Sequence, residues 1–286
     1  MKRTGILGPR GTHSEAAAVY LKNFLHEETE HIIYPDIFEI LNDVEEGKID
    51  SGFVPVENSL EGSINITLDT LAQSESLIVV RELIWPVHNH FMAKAGVKLG
   101  DVKKIVSHAQ PVSQCRKYLR KNFPDAEIIA APSTARAAEI VSGTSPGEGY
   151  AAICTERAGK LNHLVTLAKE IQDNPSNSTG FFEVCRRDEK NSANVTGEKV
   201  LIICRIDGSH AGSLCEVLEE FARRKVNMTR IESRPARTEL GEYIFFFDLE
   251  NNIDRKILDE SVAAVRRKTI WLKNLGTFPV LKVTET

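Results

Sequence analysis

The stretch DIFEILNDVEEG, residues 36–47, is followed by SGFVPVE, residues 51–57, and these two segments decide the class of fold. The first segment places apolar residues at the spacing of one helix face, at Ile37, Ile40, Leu41 and Val44. This spacing predicts a helix with Asp36 as its cap and Gly47 as its stop signal. The second segment is short and apolar, as is typical of a buried strand. A helix followed by a strand is the repeating unit of α/β folds.

The same alternation runs through the first two-thirds of the chain. Strand-like segments occur at 4–8, 103–108, 126–131 and 149–154. Helix-like segments lie between them, at 12–25, 111–123 and 133–141. This order predicts a mostly parallel sheet covered by helices.

The last third of the chain has a different pattern. Residues 186–198 are polar and lack an apolar period, so we interpret them as a linker. The segments that follow predict strand, helix, strand, strand, helix and strand, at 199–206, 212–225, 227–234, 242–250, 254–268 and 276–283. The order βαββαβ describes a small two-layer domain of the ferredoxin-like kind.

The composition is that of a soluble globular protein, with 286 residues, 42% hydrophobic and 27% charged. A net charge of −4 and scattered basic residues give no reason to expect a nucleic-acid partner. No apolar stretch approaches the length of a membrane span, and the charged start MKRTG does not resemble a signal peptide. The five cysteines are far apart and form no CxxC pair. We therefore expect no metal, no cofactor and a cytoplasmic location.

The segment GPRGTHSE, residues 8–15, places two glycines before a predicted helix. Backbone N–H groups at such a helix start are free to bind an anion. The alternative is a plain strand-to-helix turn, in which Thr12 and Glu15 form a capping box.

Short polar groups follow the predicted strands elsewhere in the chain. They are Glu57, Asn58 and Ser59, then Ser107, His108 and Gln110, and later Ser133 and Thr134 at a helix start. In open α/β sheets ligands bind at the carboxyl ends of the strands, where these residues fall. The alternative is that they are loop residues and helix caps without a ligand.

In IQDNPSNSTGFFEV, residues 171–184, Asn, Ser and Thr crowd against a glycine and two phenylalanines. They are either a turn or a row of hydrogen-bonding side chains that line a pocket. The combined motifs offer hydroxyls, amides and helix N-termini. The sequence contains no metal motif, no Cys/His dyad and no nucleotide fingerprint. This set suits a small polyanionic substrate that is held without a cofactor.

These residues resemble the prephenate dehydratase family. GPRGTHSE resembles its GPxGTFSE, VPVENSLEGS its VPxENSxxGx, SHAQPVSQC its SHPQALAQC, STARAA its STAxAA, and IQDNPSNSTGFF its IxDxxxNxTRFF. In the tail, IESRP at 231–235 resembles the signature of the family's ACT domain, and SHAGSL its PGAL turn. The match covers essentially the whole chain in the family's order.

The resemblance implies a catalytic module at 1–185, with two α/β subdomains folded like type II periplasmic solute-binding proteins. Subdomain A would comprise about 1–80 and 165–185, and subdomain B 81–164, with chain crossings near 80 and 165 and the active site between them. Residues 199–286 would form the ACT regulatory domain. The chain carries no N-terminal chorismate mutase segment, so it resembles the monofunctional form.

The resemblance further implies conversion of prephenate to phenylpyruvate, with loss of water and CO₂, in L-phenylalanine biosynthesis. The implied catalytic residues are Thr179, Glu57, Asn58 and Ser59, and Thr179 would assist loss of the ring hydroxyl. The implied substrate-binding residues are Gly11, Thr12, Ser14, Ser107, His108, Gln110, Ser133, Thr134, Asn177 and Phe181. L-phenylalanine would bind a homodimer or homotetramer at Ala211, Gly212, Ser213, Leu214, Asn227, Glu232, Ser233, Arg234 and Pro235.

Several positions depart from the family pattern. Gly180 stands where the family has an arginine, which we expect to hold a substrate carboxylate. His13 replaces an aromatic residue, and further replacements are Ala109, Pro111, Ala211 and Ser213. The missing arginine keeps two alternatives open: an arogenate dehydratase or prephenate decarboxylase-like enzyme, and a non-catalytic phenylalanine sensor.

Overall fold

A computed structural model of the chain describes residues 1–187, 197–238, 241–251 and 254–283. The first lobe begins with strands and helices in alternation: β1 Lys2–Leu7, α1 His13–Leu25, β2 Thr29–Tyr34, α2 Ile37–Glu45, β3 Ser51–Asn58, β4 Gly62–Ser63, α3 Asn65–Gln73 and β5 Leu77–Pro86. Helix α2 forms as the apolar spacing predicts. The Asp36 side chain accepts a hydrogen bond from the Glu39 N–H, and Gly47 follows the helix at a φ of 74°.

The second lobe repeats the alternation: β6 His90–Ala93, β7 Lys104–Ser107, α4 Ala109–Gln114, α5 Arg116–Asn122, β8 Glu127–Ala130, α6 Thr134–Ser142, β9 Tyr150–Cys154, α7 Glu156–Leu161 and β10 Val165–Ala168. Its strands lie in the order β10-β6-β9-β7-β8. The single helix expected at 111–123 is two helices, because the chain leaves helical geometry at Cys115 (φ −110°, ψ 18°).

The chain returns to the first lobe through β11, Ser178–Arg186, which lies between β5 and β3. The crossings between the lobes therefore fall at 87–89 and 169–177, later than the expected positions near 80 and 165. We expected a mostly parallel sheet from the sequence, but neither of the two sheets of the lobes is mostly parallel. The segments next to the crossings run antiparallel to their neighbours, as β11 does to β3 and β5, and β6 to β9 and β10.

The C-terminal domain contains β12 Lys199–Ile206, α8 Ser213–Arg223, β13 Met228–Pro235, β14 Tyr243–Glu250, α9 Arg255–Arg266 and β15 Thr269–Phe278. Its four strands lie in the order β13-β14-β12-β15, which is the ferredoxin-like arrangement predicted from the sequence. Of the expected linker at 186–198, residues 188–196 lie outside the described residues.

The last strand expected at 276–283 is divided between two sheets. Residues up to Phe278 belong to β15, whereas β16, Val280–Lys282, pairs in parallel with β5 of the first lobe. Pro279 separates them because it has no N–H to donate, and its carbonyl instead accepts from the Glu82 N–H at 3.0 Å. The end of the chain thus joins the C-terminal domain to the first lobe.

The first lobe and the C-terminal domain also share one apolar core. Leu201, Ile203, Phe246 and Phe278 of the C-terminal domain belong to the same buried cluster as Leu77, Val79, Phe182 and Val184. The rings of Phe182 and Phe278 meet edge to face with their centres 5.6 Å apart. No helix among the described residues is long and apolar enough to cross a membrane.

Candidate active site

A cleft of about 280 Å³ lies between the two lobes. Its walls are hydroxyl, amide, imidazole and apolar groups: Thr12, His13, Ser14, Pro55, Asn58, Ile64, Val87, Asn89, His108, Gln110, Pro111, Gln114, Pro132, Ser133, Thr134, Thr179 and Phe181. Lysine and arginine are absent from this set of lining residues. Any anionic ligand in the cleft must therefore be held there by neutral donors and helix ends.

Asn58 and Thr179 lie directly opposite each other on β3 and β11. The Asn58 Nδ2 group donates to the Thr179 hydroxyl oxygen at 3.0 Å, and also to Asn177 Oδ1 at 3.0 Å and the Ser178 carbonyl at 3.1 Å. Because the Thr179 oxygen accepts this bond, its own hydroxyl proton is available to a group in the cleft. The structure thus brings together two of the predicted catalytic residues.

Ser59 and Asn177 hold this pair of strand ends in place. The Ser59 hydroxyl donates to Asn177 Oδ1 at 3.3 Å and accepts from the Ser178 N–H at 3.0 Å. Asn177 is 1% exposed, and its Nδ2 group has no hydrogen-bond partner among the described residues. Ser59 does not line the cleft. It therefore stabilises the site indirectly, through its hydrogen bonds to Asn177 and Ser178.

The predicted residue Phe181 forms part of the cleft wall. It is 1% exposed and stacks on Phe53, with ring centres 5.0 Å apart and planes 9° from parallel. This stacking fixes an apolar surface two residues beyond Thr179, where a six-membered ring can pack.

The start of α1 supplies the next part of the wall. Thr12 caps the helix by accepting from the Glu15 N–H, and both Thr12 and Ser14 line the cleft. Gly11 does not line it, because its N–H donates to Glu15 and its carbonyl accepts from the Thr155 hydroxyl of the second lobe at 2.6 Å. The predicted substrate contact at Gly11 is instead a contact between lobes.

Glu15 forms a second contact between the lobes. Its carboxylate accepts from Arg157 Nε at 2.8 Å and Nη2 at 2.9 Å. Burial alone would raise the pKa of Glu15, but the hydrogen bonds from Arg157 and Gly11 hold this pKa below its usual value. Glu15 thus stays ionised and ties α1 to α7 behind the cleft.

His13 enters the cleft in place of the family's aromatic residue. Its Nδ1 accepts from the Trp85 Nε1–H at 3.3 Å, so the neutral ring carries its proton on Nε2, which has no partner among the described residues. Burial, reinforced by the nearby His88 and His90, lowers the pKa of His13 to about 4. The ring is therefore neutral at physiological pH.

The second lobe contributes two helix starts. His108 caps α4 by accepting from the Gln110 N–H at 3.4 Å, and Ser133 caps α6 by accepting from the Arg136 N–H at 3.0 Å. His108, Gln110, Ser133 and Thr134 all line the cleft, as predicted. The positive end of the α6 dipole is thereby directed toward the cleft.

Among the lining residues that the sequence analysis did not predict are two with amide side chains, Asn89 and Gln114. Asn89 is fully buried on the first crossing, and its Nδ2 donates to Gln114 Oε1 at 3.3 Å. Asn89 Oδ1 and Gln114 Nε2 have no hydrogen-bond partner among the described residues. Gln114 lies within the SHAQPVSQC motif, which was a usable signal, whereas nothing in the sequence marked Asn89.

The structure places two other predicted residues away from the cleft. Glu57 precedes Asn58 on β3, so its side chain leaves the opposite face of the sheet, where it meets Arg230 of the C-terminal domain at 3.7 Å. Ser107 is fully buried, and its hydroxyl donates to the Ile153 carbonyl at 2.8 Å. This hydrogen bond links β7 to β9. Both placements correct the expectation that these side chains contact substrate.

Gly180 also faces away from the cleft. It pairs with Glu57 across β3 and β11, and a Cβ atom at this position would lie 3.2 Å from Glu82 Oε1 and 3.5 Å from Val56 Cγ1. An arginine here would point toward the C-terminal domain, because Thr179 already uses the cleft face of the strand. The expectation that Gly180 removes a substrate-holding arginine is therefore corrected.

A second cavity, of about 550 Å³, lies in the C-terminal domain. Of the predicted phenylalanine-binding residues, Gly212, Ser213 and Leu214 line it, together with Tyr243 and Phe245. The rest of the predicted set does not line this cavity: Ala211, Asn227, Glu232, Ser233, Arg234 and Pro235.

Two of those residues dock the C-terminal domain on the first lobe. Arg234 binds both carboxylate oxygens of Asp69 at 3.1 Å, and Glu232 accepts from the Ser63 hydroxyl at 3.2 Å. Within the described part of the chain no group of three or more His, Cys, Asp or Glu side chains is placed to hold a metal ion.

The chain has two lobes around a cleft of neutral donors, and a ferredoxin-like domain follows them. This architecture places it in the class of two-lobed ligand-binding modules with an appended regulatory domain. The chain matches the family described as "Prephenate dehydratase" over residues 4–189 and that described as "ACT domain" over residues 200–267. The protein therefore belongs to the prephenate dehydratase family, which confirms the resemblance, the fold class and the prediction of an enzyme.

Individual relatives agree over nearly the full length. The chain is 37% identical to the prephenate dehydratase of Lactococcus lactis subsp. lactis over 246 residues, which cover 86% of each protein. It is 33% identical to that of Methanocaldococcus jannaschii over 272 residues, 95% of this chain and 96% of the relative. The structure of the Arthrobacter aurescens prephenate dehydratase in complex with L-Phe has a TM-score of 0.85 and 31% identity, and the match covers 98% of this chain and 90% of that one.

Proposed function

We propose that this enzyme converts prephenate to phenylpyruvate in the cleft between its lobes. The ring carboxylate leaves as CO₂, and its electron pair enters the ring and expels the ring hydroxyl. The departing oxygen takes up one proton and leaves as water, and the ring becomes aromatic. The protein's task is to provide a proton donor at the leaving oxygen and donors for the carboxylates.

The hydrogen bond from Asn58 Nδ2 to the Thr179 oxygen carries this proposal. It fixes the hydroxyl rotor, so that the Thr179 proton is directed at the leaving oxygen of the substrate. A threonine is too weak an acid to act alone at neutral pH. The donation from Asn58 stabilises negative charge on the Thr179 oxygen while its proton is shared with the departing hydroxide.

The neutral donors of the cleft suit a reaction that loses a carboxylate. A strong ion pair to the departing carboxylate would be made in the ground state and lost as CO₂ forms, and such an interaction slows the reaction. Gln114 Nε2 and the start of α6 hold carboxylates without a full countercharge. The pyruvyl carboxylate, which is retained, fits the N-terminal end of α6 best.

The alternatives suggested by Gly180 lose their motivation. An arginine at this position would not reach the cleft, so the glycine gives no reason to prefer arogenate or a decarboxylase-like reaction. A non-catalytic sensor would not need the Asn58–Thr179 pair, which is kept here with hydrogen-bond geometry.

We further propose that L-phenylalanine binds the cavity in the C-terminal domain and inhibits the enzyme. The Arthrobacter aurescens relative was solved with L-Phe, and the cavity here offers an aromatic wall of Tyr243 and Phe245. Ile231, Tyr243 and Ile270 of this domain are 48%, 47% and 54% exposed, which supports pairing with a second copy in a dimer. The free thiols of the cysteines suit the cytoplasm.

The test of the proposed function is to supply prephenate and arogenate separately and to follow the ultraviolet spectrum of the product. Formation of phenylpyruvate from prephenate at the higher kcat/KM supports the proposal. A product without an aromatic ring, or turnover of arogenate alone, contradicts it.

A further inference from the structure

A groove of about 440 Å³ lies in the second lobe, between helices α4 and α5 and strand β8. It is larger than the cleft between the lobes and shares no lining residue with it. Strand β8 is at the edge of its sheet, and Ala126, Ile128 and Ala130 share the face that lines the groove, because alternate residues of a strand point the same way. The two alanines are too small to fill the space next to the helices, and the groove stays open.

The body of the groove is apolar. Val112, Leu119 and Phe123 line it from the helices. Ile128 lines it from β8 and is 46% exposed, which is unusual for so large an apolar side chain on a strand. The volume lies within the range of small-molecule pockets, roughly 300–1,000 Å³.

Two hydroxyl groups also line the groove, but the protons of both are engaged. Ser107 donates to the Ile153 carbonyl at 2.8 Å, and Ser113 donates to the Gln110 carbonyl at 2.8 Å. A molecule in the groove therefore meets apolar surface and no free hydroxyl proton. A ring or chain without polar substituents fits this environment best.

The charged groups of the lining are Arg116 and Arg120, both exposed and one turn apart on α5. Within the described part of the chain neither guanidinium has an ion-pair or hydrogen-bond partner, and no Asp or Glu belongs to the lining. Side chains four residues apart are neighbours on a helix, and a guanidinium binds a carboxylate through two parallel hydrogen bonds. An amino acid fits poorly, because its ammonium group would lie beside two cations with no carboxylate to accept from it.

Helix α4 separates the groove from the cleft between the lobes. Val112 and Ser113 of this helix line the groove. Gln110, Pro111 and Gln114 of the same helix line the cleft. A molecule in the groove therefore contacts a helix that forms part of the cleft wall.

We propose that this groove is a second binding site, for an apolar monocarboxylate that carries no ammonium group. The apolar body lies between the two helices and β8, and the carboxylate binds Arg116 and Arg120. Phenylpyruvate belongs to this class, so the site takes the enzyme's own product. The link to the product rests on the proposed function, whereas the chemistry of the groove does not.

The test is a titration of the full chain with hydrocinnamate, which is phenylpyruvate without its keto group. The methyl NMR signal of Ile128, assigned with Ile128→Val, reports the groove itself and not the other cavities. Arg116→Met/Arg120→Met removes both guanidinium groups and should weaken the binding seen at Ile128 at least about tenfold. Ala130→Leu fills the groove without a change of charge and should abolish this binding.

Lys117→Met/Lys121→Met is the matched control. It removes two positive charges from the same helix, but neither lysine lines the groove, so the affinity should stay within about threefold of the wild type. Hydrocinnamyl alcohol and phenethylamine test the head group, since the first lacks a charge and the second is a cation. Both should bind at least about tenfold more weakly than hydrocinnamate.

An Ile128 signal that does not move with hydrocinnamate overturns the inference, and so does equal affinity in the wild type and Arg116→Met/Arg120→Met. An equal loss in the lysine control, or equal binding of the alcohol, overturns it as well. A change of oligomeric state in Ala130→Leu without any hydrocinnamate binding to the wild type would mark the groove as an interface between copies instead. The titration requires no turnover, so a protein that binds hydrocinnamate at Ile128 but does not turn over prephenate would refute the proposed function and support the groove site.

Discussion

Replacement of Thr179 by valine removes one hydroxyl and changes almost nothing else. The two side chains have nearly the same shape, and Thr179 is 8% exposed, so the packing of β11 is retained. Asn58 Nδ2 keeps its bonds to Asn177 Oδ1 at 3.0 Å and to the Ser178 carbonyl at 3.1 Å. The variant therefore isolates the contribution of the hydroxyl to turnover.

The expected effects on stability and catalysis differ widely in size. Loss of one neutral hydrogen bond costs about 0.5–1.5 kcal/mol of folding free energy, which corresponds to a fall in Tm of about 5 °C or less. Loss of a group that donates a proton in the transition state lowers kcat by about 10²–10⁴-fold. We therefore expect a folded protein with very slow turnover.

The assay is phenylpyruvate formation by ultraviolet absorbance, with thermal unfolding measured on the same preparation. Thr179→Ser is the control, because it keeps the hydroxyl and should retain activity within about tenfold. Near-normal kcat in Thr179→Val refutes the role of this hydroxyl. Equal losses in the valine and serine variants refute it as well, since the methyl group would then be what matters.

The pKa of His13 falls from 6.5 to about 4 on folding. Between these pH values the unfolded chain therefore binds a proton on His13, whereas the folded chain does not. Stability should therefore fall as the pH drops from 6.5 to 4, by at most about 3 kcal/mol, and His13→Phe should flatten this part of a urea-unfolding pH series. Glu15→Gln weakens the tie to Arg157 between the lobes and should lower the unfolding free energy by about 1–3 kcal/mol at neutral pH, which chemical denaturation would detect. L-phenylalanine should raise Tm and inhibit turnover, and Leu214→Ala should weaken both effects about tenfold with uninhibited kcat unchanged, as calorimetry and the absorbance assay would show.

The strands and the motifs at their ends were predictable because both depend on local sequence. The cap at Asp36, the strand 51–57 and the ferredoxin-like order of the tail follow from spacing and turn chemistry. Asn58 and Thr179 were also predicted as site residues, because they lie in motifs that resemble those of the family. What the sequence could not show is that β3 and β11 pair with these two residues opposite each other.

The direction of individual side chains was the main error. Glu57 and Gly180 belong to the right motifs, but alternation along each strand turns them to the face opposite Asn58 and Thr179. Which face of the sheet each side chain takes depends on the register of the β3–β11 pair, and this register is irregular beyond Gly180. The contact of Glu57 with Arg230 was overlooked for a related reason, because the two residues belong to different domains and only tertiary packing brings them together.

The crossings between the lobes and the last strand were predicted at the wrong positions, because pairing between strands that are distant in the sequence determines where they lie. Residues 81–86 continue β5 since β11 and β16 lie on either side of it. Asn89 sits just beyond this strand and enters the cleft without any local motif to mark it.

We propose that this chain turns over prephenate in the cleft and that its C-terminal domain restrains this turnover. Phenylpyruvate formation from prephenate, followed by absorbance with and without L-phenylalanine, tests both parts at once. We expect turnover that L-phenylalanine suppresses. Binding of L-phenylalanine without any turnover of prephenate would show that the cleft is not a prephenate dehydratase site.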